Sequence, residues 1–153
     1  MPIYASNAFY KTTFSFYLSS LLQPRKVLLE QLSRVLPSDS DTLPDQVILA
    51  NTCDRQGAHV AAKLAERGNN RVICTAGPAD VKATLTCLVS KIQKFCNTKT
   101  QSPPSVRVAL IGSDTFINSL LRPYVEVFST KPPDWQGYVK FFIIPLGKME
   151  RSY

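Results

Sequence analysis

The stretch VICTAGPADVKATLTCLVSKIQKFCN, Val72 to Asn97, decides how this chain folds. Its opening, taken with Arg71, is a short run suited to a pleated, buried surface and predicts a strand over Arg71 to Thr75. Gly77-Pro78 then opens a helix, because proline's locked φ suits the first turn, where its missing N–H has no partner to lose. Val81, Leu85, Leu88, Ile92 and Phe95 or Cys96 recur at the spacing of one helical face. A strand that runs straight into an amphipathic helix is half of a βαβ unit, and repetition of that unit makes a parallel sheet.

The pattern repeats on both sides. Upstream, Arg25 to Leu36 carries Leu28, Leu32 and Val35 on one helical face, stops at Pro37 and is followed by the polar loop SDSDTLPD. Val47 to Ala50 is a short apolar strand, and Asn51-Thr52-Cys53-Asp54 turns it into a helix expected from Gln56 to Arg67. In that helix Val60, Ala61, Leu64 and Ala65 should face inward and His59, Lys63, Glu66 and Arg67 outward, with Gly68-Asn69-Asn70 as the left-handed exit. Downstream, a solvated connector from Asn97 to Ser105 leads to a third strand, Val106 to Ile111. Gly112-Ser113-Asp114 ends that strand, and Phe116, Ile117, Leu120, Leu121, Tyr124 and Phe128 mark a fourth helix. Pro123 should kink or break it, since a proline inside a helix removes a hydrogen bond at a cost of about 3 kcal/mol. Val139 to Leu146, centred on Phe141-Phe142-Ile143-Ile144, reads as a fourth strand.

The expected architecture is therefore a three-layer α/β/α, Rossmann-like fold around a mainly parallel sheet of about four strands. Residues 24–147 form one domain in this reading, with an aromatic-rich arm over 1–23 and a tail over 148–153. The 153 residues suffice for one such core, and 44% hydrophobic with 19% charged residues excludes a wholly disordered chain. The arm, with Phe9, Tyr10, Phe14, Phe16 and Tyr17, invites a signal-peptide reading. Its weak basic start and interspersed hydroxyl residues argue against that, and it falls short of the roughly 20 apolar residues of a spanning helix.

A net charge of +7 raises the question of phosphate-rich partners, whether nucleic acid or an anionic membrane. Lys82, Lys91 and Lys94 on the third helix do not line up into a stripe, so the charge does not predict nucleic-acid binding. Cys53, Cys74, Cys87 and Cys96 show no CxxC pair and no histidine at zinc-finger spacing. Cys87 and Cys96 share a helix about 13 Å apart, too far for a disulfide, and reduced thiols are expected.

Chemistry has few candidates. Asp54, Asp80 and Asp114 each follow a predicted strand, so a parallel sheet would bring them to one edge, where a divalent cation for phosphoryl chemistry could be held. The simpler role for each is to start the helix after its strand. Neither GxGxxG nor GxxxxGK[ST] occurs, and Gly112-Ser113-Asp114 lacks the GxSxG spacing of a nucleophile elbow. His59, the sole histidine, sits among charged neighbours on the expected wet face. Trp135, beside Asp134, Gly137 and Tyr138, is either a partner anchor or a plug at the sheet edge. No residue is assigned to catalysis, and no cofactor or metal is expected.

Three ordered stretches carry a family resemblance: LPDQVILANTCDRQG (Leu43 to Gly57), VICTAGPADVKATLTCLVSKIQKFCN (Val72 to Asn97) and PPDWQGYVKFFIIPLG (Pro132 to Gly147). Together they resemble the C-terminal conserved region of the phosphofurin acidic cluster sorting (PACS) family. The family's DWQG after the first strand stands here as Asp54-Arg55-Gln56-Gly57. The resemblance implies a non-catalytic protein-interaction part of a cytosolic sorting adaptor acting at the trans-Golgi network and endosomes. Its partners would be proteins of the sorting machinery, with peripheral membrane association at most. Asp134, Trp135, Gly137, Tyr138, Asp54, Gln56 and Gly57 are the candidate partner-binding residues. The competing reading is a metal-dependent phosphohydrolase or nucleotide-binding domain using Asp54, Asp80 and Asp114.

Overall fold

A computed structural model describes residues 24–147; the expected arm over 1–23, with its leader reading, and the tail over 148–153 lie outside the described residues. Helix α1 (Pro24–Val35) comes first, followed by β1 (Gln46–Asn51) and α2 (Arg55–Glu66). Strand β2 (Val72–Thr75) leads into the long α3 (Pro78–Thr98), and β3 (Val106–Gly112) into α4 (Asp114–Phe128). A 3-10 turn over Pro133–Gly137 delivers the chain to β4 (Val139–Pro145).

The four strands form one sheet in the order β2-β1-β3-β4, and every neighbouring pair is parallel. From β1 the chain steps out to β2, crosses back to β3 and continues the same way to β4. The winding direction therefore reverses between β1 and β3, as in doubly wound α/β sheets.

Strand alternation explains the two buried layers. Val47 and Leu49 point to one face, with Ile73, Val108 and Leu110, and there meet α1, α3 and α4 through Leu32, Val35, Leu85, Leu88 and Leu120. Ile48 and Ala50 point to the other, with Val72 and Ile111, against Ala61, Val60 and Leu64 of α2. Because helices cover both faces, β1 is buried along its whole centre and reads as a continuous apolar run. The second layer is thinner, being a single helix wide.

Two local expectations need correction. Of the kink or break expected at Pro123, the break does not occur, since α4 runs through it; the proline is buried with Phe116, Leu120 and Phe128, and that shared face offsets the one lost backbone bond. Ala65 is exposed rather than inward, because α2 meets the sheet only along Gly57, Ala61 and the half-buried Val60 and Leu64. The left-handed exit from α2 falls on Gly68, at φ 77°.

Candidate functional site

In a parallel sheet the carboxyl ends of the strands share one edge, and a ligand would sit where the winding reverses. A crevice of about 190 Å³ lies there, with Asn51, Cys53, Ala76, Gly77, Ser113 and Phe116 among its walls. Two of its polar residues bond backbone groups of its own walls. Asn51 Oδ1 accepts the Cys53 N–H at 3.1 Å, and the Cys53 thiol donates to the Ala76 carbonyl at 3.0 Å.

The three aspartates reach this edge but do not form a cluster. Asp54 caps α2, its Oδ1 accepting the Gln56 N–H at 3.0 Å. Asp80 lies in the first turn of α3, where Gly77 is the cap, and its Oδ2 accepts the Ala76 N–H at 2.8 Å. Asp114 is the first residue of α4, and Ser113 rather than Asp114 is the capping side chain. Among the described residues no group of three His, Cys, Asp or Glu side chains is placed to hold a metal ion. His59 is exposed on α2, outside this edge.

Gly57 has a packing role. A Cβ there would stand 1.9 Å from the Asn51 carbonyl oxygen, so the start of α2 can lie on β1 only if residue 57 has no side chain. This accounts for the glycine of Asp54-Arg55-Gln56-Gly57 without invoking a partner. Arg55 of the same segment is exposed.

The second candidate group lies at the opposite end of the sheet, since Asp134 to Tyr138 precede β4 whereas Asp54 to Gly57 follow β1. The seven candidate residues thus fall into two separate surfaces. Trp135 is only 5% exposed and packs into the core, its ring 5.7 Å from that of Tyr138, with Lys131 Nζ lying 4.8 Å above its face. It is a plug; Asp134, Gln136 and Gly137 form the exposed part of that turn.

The three lysines of α3 are occupied locally. Lys91 is buried and donates to the carbonyls of Pro37 and Ser40, while Lys94 donates to the Ser38 carbonyl at 2.8 Å. Burial, reinforced by Lys94, pulls the Lys91 ammonium below its ordinary value. Lys82 and Arg122 both bond Glu126, at 2.9 and 3.2 Å, and hydrogen bonding from both holds that carboxyl below the usual range. These side chains pin loops and helices together and leave no continuous basic face on α3.

Two features escaped the sequence reading. Gln31 and Arg34 reach from α1 to the backbone of β2: Gln31 both donates to and accepts from Cys74, and Arg34 donates to the Val72 carbonyl at 2.9 Å. Nothing in the periodicity of α1 marks a polar residue as a strand partner. Leu121, one of the apolar residues that mark the fourth helix, is 56% exposed, and Phe142, Ile143 and Ile144 of β4 are exposed as well. An apolar run reads alike in a central and an edge strand.

The four cysteines are free, and burial raises the Cys74 and Cys87 thiols above their ordinary values. No helix among the described residues is long and apolar enough to cross a membrane.

No solved structure matches the chain. The family model described as PACS-1 cytosolic sorting protein matches residues 28–152. The chain is similar to human phosphofurin acidic cluster sorting protein 2, 44% identical over 129 residues, which is 84% of this chain and 14% of that protein. It is similar to mouse phosphofurin acidic cluster sorting protein 1, 44% identical over 124 residues, or 81% of this chain and 13% of that one. The chain therefore spans about 14% of the length of these curated relatives. On the extent of the family match and on these identities, the chain belongs to the PACS family of cytosolic sorting proteins.

Proposed function

We propose that residues 24–147 are a single, non-catalytic protein-interaction domain of a sorting adaptor, working in the cytoplasm in peripheral association with trans-Golgi network or endosomal membranes. Membership of the sorting family carries this reading. The side chains support it: Asp54 and Asp80 accept backbone N–H groups at the starts of their own helices, the sole histidine is exposed away from them, and in the crevice at the switch point Asn51 and Cys53 are engaged with backbone groups of its own walls. What is left for function is the outside of a rigid scaffold.

Two surfaces are available as candidates. One is the exposed rim of the turn before β4, with Asp134, Gly137 and the half-buried Tyr138; the other is the start of α2, with Asp54, Arg55 and Gln56. They lie at opposite ends of the sheet and would engage different partners, or different parts of one.

Capture from cytosol with the full chain as bait tests the proposal. Enrichment of coat or sorting proteins, reduced by Asp134→Lys or by Arg55→Glu, is the expected result. Recovery of no trafficking protein would overturn it, as would magnesium-dependent hydrolysis of a phosphate ester that Asp114→Asn abolishes.

A further inference from the structure

The two edges of the sheet are treated differently. The outer side of β2 is covered by α1, whose Gln31 and Arg34 bond the strand's backbone. Strand β4 pairs with β3 along all seven of its residues, and among the described residues nothing pairs its other side. Alternate backbone groups of β4 therefore point outward without a partner strand.

The exposed apolar side chains gather at that edge. Among the described residues seven large hydrophobics are exposed, and five of them, Leu121, Val125, Phe142, Ile143 and Ile144, belong to β4 or to α4, the helix that packs on it. Phe142 and Ile144 stand beside Ala109 and Ile111 in the register, on the face of α2, whose helix contacts the other three strands. Ile143 stands beside Leu110 on the opposite face, next to Phe141, whose ring meets Tyr124 of α4 edge-on at 5.3 Å. The flank of α4 toward α3 is polar, with Lys82 bonded to Glu126 across the groove and Arg122 beside it. Leu121 and Val125 lie on the flank away from α3, one helical turn apart.

Apolar side chains on both faces of a strand, an open edge and an apolar flank on the last helix describe an interior position in a parallel sheet, where a neighbour covers all three. The handedness of crossovers says which neighbour. The step from β3 to β4 carries α4 on the face shared with α1 and α3, and a further right-handed step in the same direction puts its helix on that same face, beside α4. That helix would meet Leu121 and Val125, and the strand it serves would lie parallel to β4 with alternate side chains against Phe142 and Ile143.

We propose that the β4 edge, with Leu121 and Val125, is the docking site for an amphipathic helix and apolar strand from the longer polypeptide in which the relatives carry this region. The match spans 14% of the human relative, which leaves ample chain outside the match to supply one such unit. The lining is apolar and Lys140 is the one charged side chain of β4, so the occupant is recognised by shape and strand pairing rather than by charge.

The probes are two pieces of the 44%-identical human relative that together make up its length outside the matched stretch, each expressed separately and titrated by calorimetry into the full 153-residue chain. One of the two should bind with 1:1 stoichiometry and protect the outward amides of β4 from hydrogen exchange. Phe142→Lys and Leu121→Lys should each weaken binding about tenfold or more, while Leu29→Lys, an exposed apolar position on α1, should leave it unchanged. Both altered residues are exposed, so folding is expected to survive; if either variant melts early, Val125→Lys takes its place. Binding by neither piece overturns the proposal, as does binding that these substitutions do not touch. Concentration-dependent dimerisation of the chain alone, lost in Phe142→Lys, overturns it in favour of a second copy. β4 amides already protected in the monomeric chain overturn it in favour of a segment of the chain itself. None of these outcomes depends on capturing a sorting protein, so this docking site and the adaptor reading fail separately.

Discussion

Gln31 grips the backbone of Cys74 as a neighbouring strand would: its Oε1 accepts the Cys74 N–H at 2.7 Å and its Nε2 donates to the Cys74 carbonyl at 3.3 Å. One side chain thus satisfies both outward groups of an edge residue that would otherwise need water or another chain.

Gln31→Ala leaves that N–H and carbonyl without their protein partner in a half-buried place. A loss of about 1–3 kcal/mol is expected, measured as a lower urea midpoint at constant m-value. Gln31→Glu keeps an acceptor for the N–H but loses the donor, and should fall between the two. A Gln31→Ala protein as stable as the parent would show that the contact contributes nothing net.

Gly57→Ala should be far more damaging than a small exposed substitution on the same helix, because the added methyl would stand 1.9 Å from the Asn51 oxygen. That oxygen is backbone at the end of β1 and cannot swing aside, so α2 must lift from the sheet. A loss on the order of 3 kcal/mol is expected, whereas Ala62→Gly, at an exposed position, should cost about 1 kcal/mol by helix propensity alone.

Trp135→Ala will read as a fold mutant before it reads as a binding mutant. The ring is buried against Tyr138 and beneath Lys131, and its removal should cost about 3–5 kcal/mol. Asp134→Lys, which is exposed, should leave the thermal midpoint nearly unchanged. Partner capture lost with Asp134→Lys therefore reports on the surface, while capture lost with Trp135→Ala does not.

Thiol labelling should be ordered by burial. Cys53 is exposed and should react first with iodoacetamide, followed slowly by Cys74 and Cys87, whose thiols burial holds above the ordinary value. The sign for stability follows: a raised folded-state value means that the native protein keeps these protons while the unfolded chain releases them. Their contribution is complete below the ordinary thiol value and is lost as the pH rises through it toward the folded value. A denaturant midpoint that rises over that alkaline range would contradict the assignment.

The strands and helices were legible because each carries its own period. The spacing of Val81, Leu85, Leu88 and Ile92 marks α3, the run Val47 to Ala50 marks a strand buried on both sides, and Pro78 and Gly68 punctuate the ends. The unbroken run of α4 through Pro123 was not legible, because the proline's cost is local while its compensation, burial beside Leu120 and Phe128, belongs to the packed core. The roles of the three aspartates were half legible. Their place at one edge follows from parallel order, yet only geometry distinguishes the cap Asp54 from Asp114, whose capping role passes to Ser113. Trp135 illustrates the same limit, since a plug and an anchor have the same composition.

By itself the sequence determined the element order, the parallel class, the family and the want of a catalytic signature, because periodicity, turn residues and motif spacing are properties of neighbours along the chain. Only the tertiary structure decided that Gln31 seals one edge while Phe142, Ile143 and Ile144 leave the other open, and that the two candidate surfaces lie at opposite ends. Exposure depends on which elements the fold sets side by side, and residues more than forty positions apart, such as Gln31 and Cys74, carry no local mark of that meeting.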